Sequence, residues 1–522
     1  MRVAVALLAA VLITAGCTQP QATSASSASP DTNAEIRMAA DEDQWPAQGD
    51  GPKSTYFAYP LNVGVFEPLI FIASDYSLKP GLAEKWELIQ PNTWRFTIRQ
   101  GVKFQNGQPM TIDDVLWSWG GPRQMDAKLL STVANTLGPN SVKKVDDRTF
   151  DITPAVPNLR LPEQIGHLNG LILPKNMYTD SPGVTGTGPF KVVEYVKSDH
   201  VTLERNEDYW GEKPKVKKMT VRFLPDAQSR IQALRAGEVD FVKDAPPDAV
   251  KSLQKDGYTI VSSKPGRNQL IYLNRNSKAP HDLLADKAVR QAIQLSVDRN
   301  AYITTVFDGV ADPGRAMAPI SILGKFASVV PAPTYDPAKA KQVLDAAGWT
   351  VGAGGVREKA GRKLSLELIG QAEITSTAYE LLQSQLKAVG IDIVVKKSAD
   401  TPTYSNFYRN GQYDMDLEVP NQNDANPAFL PVLRMYSKNA TAAPFAPGAA
   451  FDALAEKSNA ATSTEAAQEP AAQMMNLLIN EDFTVVPLAG LYRIYAMRKG
   501  VGLGDPHPST TNQTWFSLTV SK

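Results

Sequence analysis

The residues most able to do metal or nucleophilic chemistry are few and scattered in this sequence. The four histidines are His167, His200, His281 and His507, and no two of them have a helical i,i+4 spacing. Cys17 is the only cysteine, so the chain has neither a zinc-finger spacing nor the means to form an internal disulfide. We therefore expect no zinc site and no other cofactor.

Two short motifs resemble parts of enzyme sites, but each lacks the residues that normally accompany it. The run Gly352 to Gly355 is not followed by Lys-Ser or Lys-Thr, as a phosphate-binding loop requires. Ser-x-x-Lys occurs at 141–144 and at 252–255 without a Lys-Thr-Gly motif, and chance alone produces such four-residue matches in a chain of this size. We therefore expect the protein not to be an enzyme.

Aromatic side chains concentrate in one loop near the N-terminal end of the chain. Trp45, Tyr56, Phe57 and Tyr59 lie among glycines and prolines and follow neither a helical nor a strand period. Aromatics in such a loop can line a ligand cleft, or they can cover the edge of a domain. Both interpretations stay open on the sequence alone.

The first residues have the pattern of an export signal. Arg2 precedes an apolar run from Val3 to Ile13, which is too short to remain as a membrane-spanning helix. Thr14-Ala15-Gly16 then leads to Cys17, and this arrangement resembles a bacterial lipobox, whose cysteine is diacylated after cleavage. The alternative is an ordinary signal peptide with an incidental cysteine. Residues 18–32 are rich in Ser, Ala, Thr and Pro and predict a flexible tether.

Length and composition indicate an ordinary globular protein of more than one domain. The chain has 522 residues, which exceeds the size at which a single core keeps growing. Lys+Arg and Asp+Glu number 54 each, so no overall field attracts nucleic acid or anionic lipid.

The stretch Gly186 to Val242 predicts an α/β domain. Alternating residues at 192–203 predict a hairpin, and Met219 to Phe223 predicts a further strand. Asp226 can cap a helix that Gly237 ends, and another strand begins at Val239. A strand, a one-helix crossover and a second strand favour a parallel sheet.

A second β-α-β unit lies in the C-terminal half of the chain. Leu364 to Ile369 and Ile391 to Val395 flank a helix that Gly390 follows, so two α/β lobes are predicted. Pro402 to Asn410 predicts another helix. Tyr413 to Val419 predicts a strand that leads into the loop PNQNDANPAF.

Three sequence blocks, in this order, resemble the signature region of the extracellular solute-binding proteins of family 5. They are GTGPF at 186–190, RNEDYWGEKP at 205–214 and LPDAQSRIQALRAGEVDF at 224–241, and GVKFQNG at 101–107 also fits. The resemblance extends roughly from Phe66 to Val501. It implies a type II periplasmic-binding-protein-like α/β fold, in which two lobes are joined by a two-segment hinge and the first lobe carries an extra domain.

The same resemblance implies a division of the chain into segments. Residues 1–16 form the signal peptide and 17–34 the lipidated cysteine with its tether. Lobe I comprises 35–60, 182–270 and 487–522, the extra domain 61–181, and lobe II 271–486. Two segments that cross between the lobes provide the hinge.

The ligand of such proteins lies between the lobes, and peptide-binding members commonly place an Asp after a second-lobe strand to receive the ligand's ammonium group. The equivalent loop here is 421–427, where Gln422 or Asn423 takes that place and Asp424 is adjacent. Ile165 to Leu173, where nickel-type relatives offer an arginine, has none and contains His167 and Asn169. The candidate ligand-binding residues are Tyr56, Phe57, Tyr59, His167, Asn169, Tyr404, Gln422, Asn423, Asp424 and Asn512.

The resemblance implies a monomeric substrate-binding lipoprotein of an ATP-binding-cassette importer, held on the extracytoplasmic face of the cell membrane by lipid at Cys17. Its partners would be a peptide or nickel chelate and the permease subunits, with no nucleic acid. Amide side chains at 422–423 suit a neutral hydroxyl- or amide-rich solute as an alternative. A surface scaffold or sensor without transport is the alternative of another class.

Overall fold

The computed structural model describes most of the chain after residue 29. The described residues are 30–41, 64–120, 137, 141–154, 161–165, 172–175, 185–275, 278–371, 374–398, 403–404, 406–407, 411, 413–419, 448–461, 463–507 and 517–521.

The described strands and helices alternate along much of the chain. The strands are β1 Glu35–Ala40, β2 Ile70–Ile72, β3 Leu78–Pro80, β4 Ala83–Gln90, β5 Thr93–Ile98, β6 Val142–Lys144, β7 Thr149–Ile152, β8 Phe190–Val196, β9 His200–Arg205, β10 Lys218–Phe223, β11 Phe241–Lys243, β12 Thr259–Ser262, β13 Arg267–Leu273, β14 Ala311–Pro313, β15 Thr350–Val351, β16 Arg357–Lys359, β17 Arg362–Lys363, β18 Ser365–Gly370, β19 Asp392–Lys397, β20 Met415–Glu418, β21 Val485–Leu491, β22 Ile494–Met497, β23 Val501–Gly502 and β24 Thr519–Val520. The α-helices are Ile112–Gly120, Leu161–Ile165, Ala227–Arg235, Val250–Lys255, Lys287–Ser296, Arg299–Phe307, Pro337–Ala346, Ser376–Lys387, Ala449–Asn459 and Thr464–Asn476.

A seven-stranded sheet forms lobe I, in the order β12-β22-β11-β1-β10-β9-β8. The hairpin β8-β9 and the β10-helix-β11 crossover are as the sequence predicts. Asp226 caps the crossover helix by accepting a hydrogen bond from the Ser229 N–H, and β10 and β11 both run parallel to β1, which lies between them. The apolar face of this sheet packs around residues such as Met38, Val221 and Phe241.

The extra domain is built on a four-stranded antiparallel sheet in the order β4-β5-β7-β6. The rings of Phe96 and Phe150 stack on adjacent strands with their centroids 5.3 Å apart. The helix Ile112–Gly120 begins at the predicted capping pair, because Asp114 accepts hydrogen bonds from both the N–H and the hydroxyl of Thr111.

A six-stranded sheet forms lobe II, in the order β14-β21-β13-β20-β18-β19. The predicted second β-α-β unit is present, because β18 and β19 pair in parallel and the helix Ser376–Lys387 connects them. Residues on both faces of the sheet are buried, in two separate clusters of apolar side chains.

Within the described residues, two segments connect the lobes. The chain passes from the lobe I sheet to the lobe II sheet between Ser262 and Arg267, and it returns between Leu491 and Ile494. The arrangement confirms the predicted α/β class with two lobes and two crossing segments, while the residue boundaries of the domains stay predictions. Among the described residues, no helix has the length and apolar character needed to cross a membrane.

Candidate functional site

The carboxyl ends of the parallel strands are where a ligand is expected in an open α/β sheet. In lobe I, β11 ends at Lys243, which pairs with Tyr495 next to the start of β22. In lobe II, β20 ends at Glu418, which pairs with Leu270, three residues after the start of the antiparallel strand β13. The crossing segments therefore leave both sheets at their carboxyl edges.

The lobe II edge carries a buried pair of acidic side chains. Met415 and Leu417 of β20 point into one core cluster, so Asp416 and Glu418 lie on the other face. The Tyr404 hydroxyl lies 2.7 Å from Glu418 Oε2 and 3.0 Å from Asp416 Oδ2. Burial raises the pKa of Asp416 well above its ordinary value, and the nearby charge of Glu418 raises it further. The three groups thus form a polar cluster that favours a proton on Asp416.

This cluster lies immediately before the predicted ligand loop. Val419 follows Glu418, and its N–H donates to the Gln371 side-chain oxygen at 2.8 Å. Gln371 itself follows the end of β18, so this contact ties the ends of two neighbouring parallel strands together. The chain is thereby fixed at the lobe II edge as far as Val419, the last described residue before the predicted loop.

The lobe I edge carries a charged cluster at the second crossing segment. Arg493 is buried, and its Nη1 lies 2.8 Å from both carboxylate oxygens of Asp244. Lys243 Nζ lies 3.4 Å from Asp244 and 3.5 Å from Asp41. Burial opposes ionisation of Asp244, but the charges of Arg493 and Lys243 outweigh it and lower the pKa of that carboxyl. The group is therefore an anion that fixes the crossing segment to lobe I.

A third polar cluster, centred on Glu67, joins the extra domain to lobe I. The fully buried carboxylate of Glu67 accepts hydrogen bonds from Thr187 Oγ1 at 2.8 Å, Tyr209 Oη at 2.6 Å and Trp210 Nε1 at 2.9 Å. The Arg99 guanidinium lies 4.3 Å from the centroid of the Trp210 ring. Burial raises the pKa of Glu67 to about 7, against the lowering effect of its donors.

The Glu67 cluster gives a structural role to residues of two of the signature blocks. Thr187 belongs to GTGPF, and Tyr209 and Trp210 belong to RNEDYWGEKP. A side chain at Gly186 would begin 2.0 Å from the Val65 carbonyl oxygen. Only glycine allows this close approach, which brings Thr187 onto Glu67. These residues of the two blocks therefore build the joint between the extra domain and lobe I.

Tyr404 is the one predicted site residue that the structure describes. It is 8% exposed, and its hydroxyl is engaged by Asp416 and Glu418. The other predicted residues lie outside the described part of the chain: Cys17, Tyr56, Phe57, Tyr59, His167, Asn169, Gln422, Asn423, Asp424 and Asn512. Their roles stay predictions.

Sequence reasoning missed Asp416, Glu418, Glu67 and the Arg493–Asp244 pair. The alternation of apolar and acidic residues in MDLE suggests a solvent-exposed face for Asp416 and Glu418, which the second layer of lobe II buries. Among the described residues, no group of three or more His, Cys, Asp and Glu side chains could hold a metal ion.

Two α/β lobes, joined in the described residues by two crossing segments at the sheet edges where ligands are expected, are typical of a two-lobed binding protein. The family model described as "Bacterial extracellular solute-binding proteins, family 5 Middle" matches residues 77–442. The chain belongs to this family, as its signature blocks predict.

Relatives with established names support the same assignment. The nickel-binding periplasmic protein of Escherichia coli K12 is 29% identical over 411 residues, which cover 70% of this chain and 74% of that protein. A putative ABC transporter peptide-binding protein of Brucella ovis is 29% identical over 365 residues, covering 67% of this chain and 66% of that protein. The crystal structure of NikA from Brucella suis in complex with Fe(III)-EDTA is 26% identical, with a TM-score of 0.78 and coverage of 94% of this chain and 100% of that one.

Proposed function

We propose that this protein is the substrate-binding lipoprotein of an ATP-binding-cassette importer. It captures a small solute between its lobes and delivers the solute to the permease. The observation that carries the proposal is the family match over residues 77–442, together with two lobes whose facing edges are linked by two crossing segments. A surface scaffold or sensor without transport is the competing function.

The same proposal places the protein outside the cytoplasmic membrane as a lipid-anchored monomer. The lipobox-like sequence before Cys17 supports acylation, and residues 18–32 would give the folded part reach from the membrane. The family consists of binding proteins, and we propose no catalytic activity.

A peptide or a nickel chelate is the first ligand to test, since the relatives are described as nickel-binding and peptide-binding proteins. The loop at 421–427 offers amides at Gln422 and Asn423, with a single carboxylate at Asp424. A buried ammonium group that faces only amides keeps much of its desolvation cost. This favours, as the second candidate, a neutral solute that amides recognise by donating and accepting together.

Calorimetry on the wild type tests the proposal with a tetrapeptide mixture, Ni(II)-histidine, Fe(III)-EDTA and a panel of neutral sugars and amides. Saturable binding of one class, and loss of uptake of that solute from cells lacking the gene, is the expected result. Binding without any defect in uptake would favour the scaffold or sensor function. Binding of none of these probes would remove the support for capture of these solute classes.

Asn423→Asp then separates the ligand classes. If an ammonium group binds at this position, the added carboxylate strengthens binding through a charge-assisted hydrogen bond worth about 1.5 to 3 kcal/mol. For a neutral ligand the same change removes a donor and buries a charge, so affinity falls. Asn421→Asp in the same loop is the matched control. Equal affinities of wild type and Asn423→Asp would show that Asn423 does not contact the ligand.

A further inference from the structure

The two crossing segments are paired with each other on both sides of a short interval. The Ser263 N–H donates to the Arg493 carbonyl at 2.9 Å, and the Gly266 N–H donates to the Leu491 carbonyl at 3.2 Å. Between these bonds lie only Lys264 and Pro265 on one segment and Tyr492 on the other. Because strands continue beyond each bond, a bend between the lobes must be absorbed in this interval.

Two neighbouring side chains at this interval bond to different lobes. Arg493 forms its two-oxygen ion pair with Asp244 of lobe I, as described above. The neighbouring Tyr492 hydroxyl donates to Asp312 Oδ1 in β14 of lobe II. Adjacent residues of one crossing segment therefore connect to different lobes, which identifies Tyr492 as part of the pivot.

An ion pair crosses between the lobes beside this pivot. Lys251 Nζ lies 2.7 Å from Asp308 Oδ1, and the side chains are 68% and 41% exposed, respectively. Lys251 belongs to the helix Val250–Lys255, whose Val250 and Leu253 pack in a lobe I core. Asp308 ends the lobe II helix Arg299–Phe307, and Val310 two residues later packs against that same lobe I core.

This ion pair lies at the edges of lobe I and lobe II that face each other. The helix bearing Lys251 follows the carboxyl end of β11 by a short connection. Asp308 precedes β14, whose first residue, Ala311, pairs with Leu491 at the end of β21, where the chain leaves lobe II. Separation of the lobes at this point would therefore break the ion pair.

The helix that Asp308 ends gives no reason for a negative charge there. Asp308 has φ 51°, a left-handed conformation that glycine adopts most readily and that asparagine tolerates as well as aspartate does, without the charge. A negative charge at the C-terminal end of a helix is also unfavourable to the helix dipole. The contact with Lys251 in the other lobe accounts for the carboxylate.

We propose that Lys251 and Asp308 form an interlobe latch, which biases the ligand-free protein toward the arrangement in which the lobe edges approach. Tyr492 and Asp312 support the latch from the pivot. The inference rests on the proposed function only in taking lobe closure to be the step that retains solute. An exposed ion pair can shift the open-to-closed ratio by about fivefold at most.

The test measures the distance between lobes without ligand. Nitroxide labels are placed at Lys197→Cys and Lys397→Cys in full-length protein carrying Cys17→Ser. Both positions are exposed, and they follow or end β8 and β19, the strands farthest from the crossing segments in their sheets. Double electron–electron resonance then reports how the lobes are distributed between near and far arrangements.

Lys251→Gln and Asp308→Asn should each move population toward longer distances, and the reversed pair Lys251→Asp with Asp308→Lys should restore it. Asp308→Asn suits the helix end better, so its unfolding temperature should not fall, which separates the latch from general destabilisation. Lys255→Gln, one turn further along and without an ion pair to any described residue, should match the wild type.

Salt gives a second test of the same proposal. At about 1 M salt the Debye length falls to ~3 Å, so the wild-type distribution should approach that of the variants. Identical distributions in wild type, Lys251→Gln and Asp308→Asn would overturn the latch. That outcome would leave the proposed import function untouched, because no ligand or transport enters the measurement.

Discussion

Replacing Glu67 by glutamine tests whether the joint between the extra domain and lobe I holds a neutral or an ionised acid. Glu67 Oε2 receives hydrogen bonds from Thr187 and Trp210, and Oε1 receives one from Tyr209. A glutamine with its oxygen at the Oε2 position keeps the first two bonds. Its amide can donate to the Tyr209 oxygen, so Glu67→Gln preserves the contacts while removing the ability to ionise.

The expected effect on stability depends on pH in a definite direction. Burial raises the pKa of Glu67 from its ordinary value of 4.5 to about 7. A pKa that is raised on folding contributes stability below pH 4.5, and that contribution is lost as the pH rises through about 7. At about 1.4 kcal/mol for each tenfold change in the ionisation constant, the loss is about 3 kcal/mol, most of it between roughly pH 5 and pH 8.

Urea unfolding followed by tryptophan fluorescence at pH 5 and pH 8 measures this difference. Glu67→Gln should be close to the wild type at pH 5 and more stable than it by about 2 to 3 kcal/mol at pH 8. The exposed Glu204→Gln on β9 is the control and should change stability by less than about 0.5 kcal/mol at either pH. A Glu67→Gln variant less stable than the wild type at pH 8 would refute the reasoning, because the three donors would then stabilise the ionised carboxylate by more than burial destabilises it.

Two further changes test the other clusters, and a third tests the proposed lipid anchor. Tyr404→Phe removes the hydroxyl between Asp416 and Glu418, so the free energy of unfolding by urea should fall by about 1 to 3 kcal/mol; an unchanged free energy would mean that these hydrogen bonds do not stabilise the fold. Asp244→Asn leaves Arg493 buried without its anion and should lower the free energy of unfolding by urea by about 3 kcal/mol. Unchanged stability would mean that the ion pair does not stabilise the fold. Cys17→Ala should release the protein from the membrane fraction with its circular dichroism unchanged, and continued membrane retention would contradict the anchor.

Local features of the fold could be predicted because the signals lie within a few residues of one another. Asp226 and Asp298 each accept a hydrogen bond from an N–H three residues later, which is the contact that a capping residue is expected to make. The parallel pair β18-β19 likewise follows from one helix between two apolar runs.

Contacts between distant parts of the chain could not be predicted in this way. β1 is separated by well over a hundred residues from β10 and β11, and nothing in its own pattern places it between them. Arg493 and Asp244 are 249 residues apart, and Glu67 and Tyr209 are 142 residues apart. These pairs depend on how whole lobes and domains meet, which propensity and periodicity do not encode.

The candidate site could also be predicted only in part, for a further physical reason. The resemblance made Tyr404 a candidate site residue, which stays a prediction, but its two acidic partners could not be inferred. Asp416 and Glu418 alternate with apolar neighbours as residues of a half-exposed strand would, and strands of parallel sheets with both faces covered normally read as continuous apolar runs. Two acids on a covered face are therefore a departure from the pattern that the sheet itself requires.

The buried polar clusters of this protein share one kind of location: each lies where two parts of the structure meet or where a strand ends. Glu67 lies where the extra domain meets lobe I, Arg493 with Asp244 lies where the crossing segment enters lobe I, and Asp416 with Glu418 lies at the end of β20, just before the predicted ligand loop. A buried polar cluster costs more desolvation than apolar packing, but it requires particular partners in a particular geometry. Apolar surfaces alone would allow neighbouring parts to slide by small amounts, and the proposed capture of a solute between the lobes requires their edges to keep fixed positions. We therefore expect substitutions in these three clusters to change the ligand's dissociation rate even where they do not contact it.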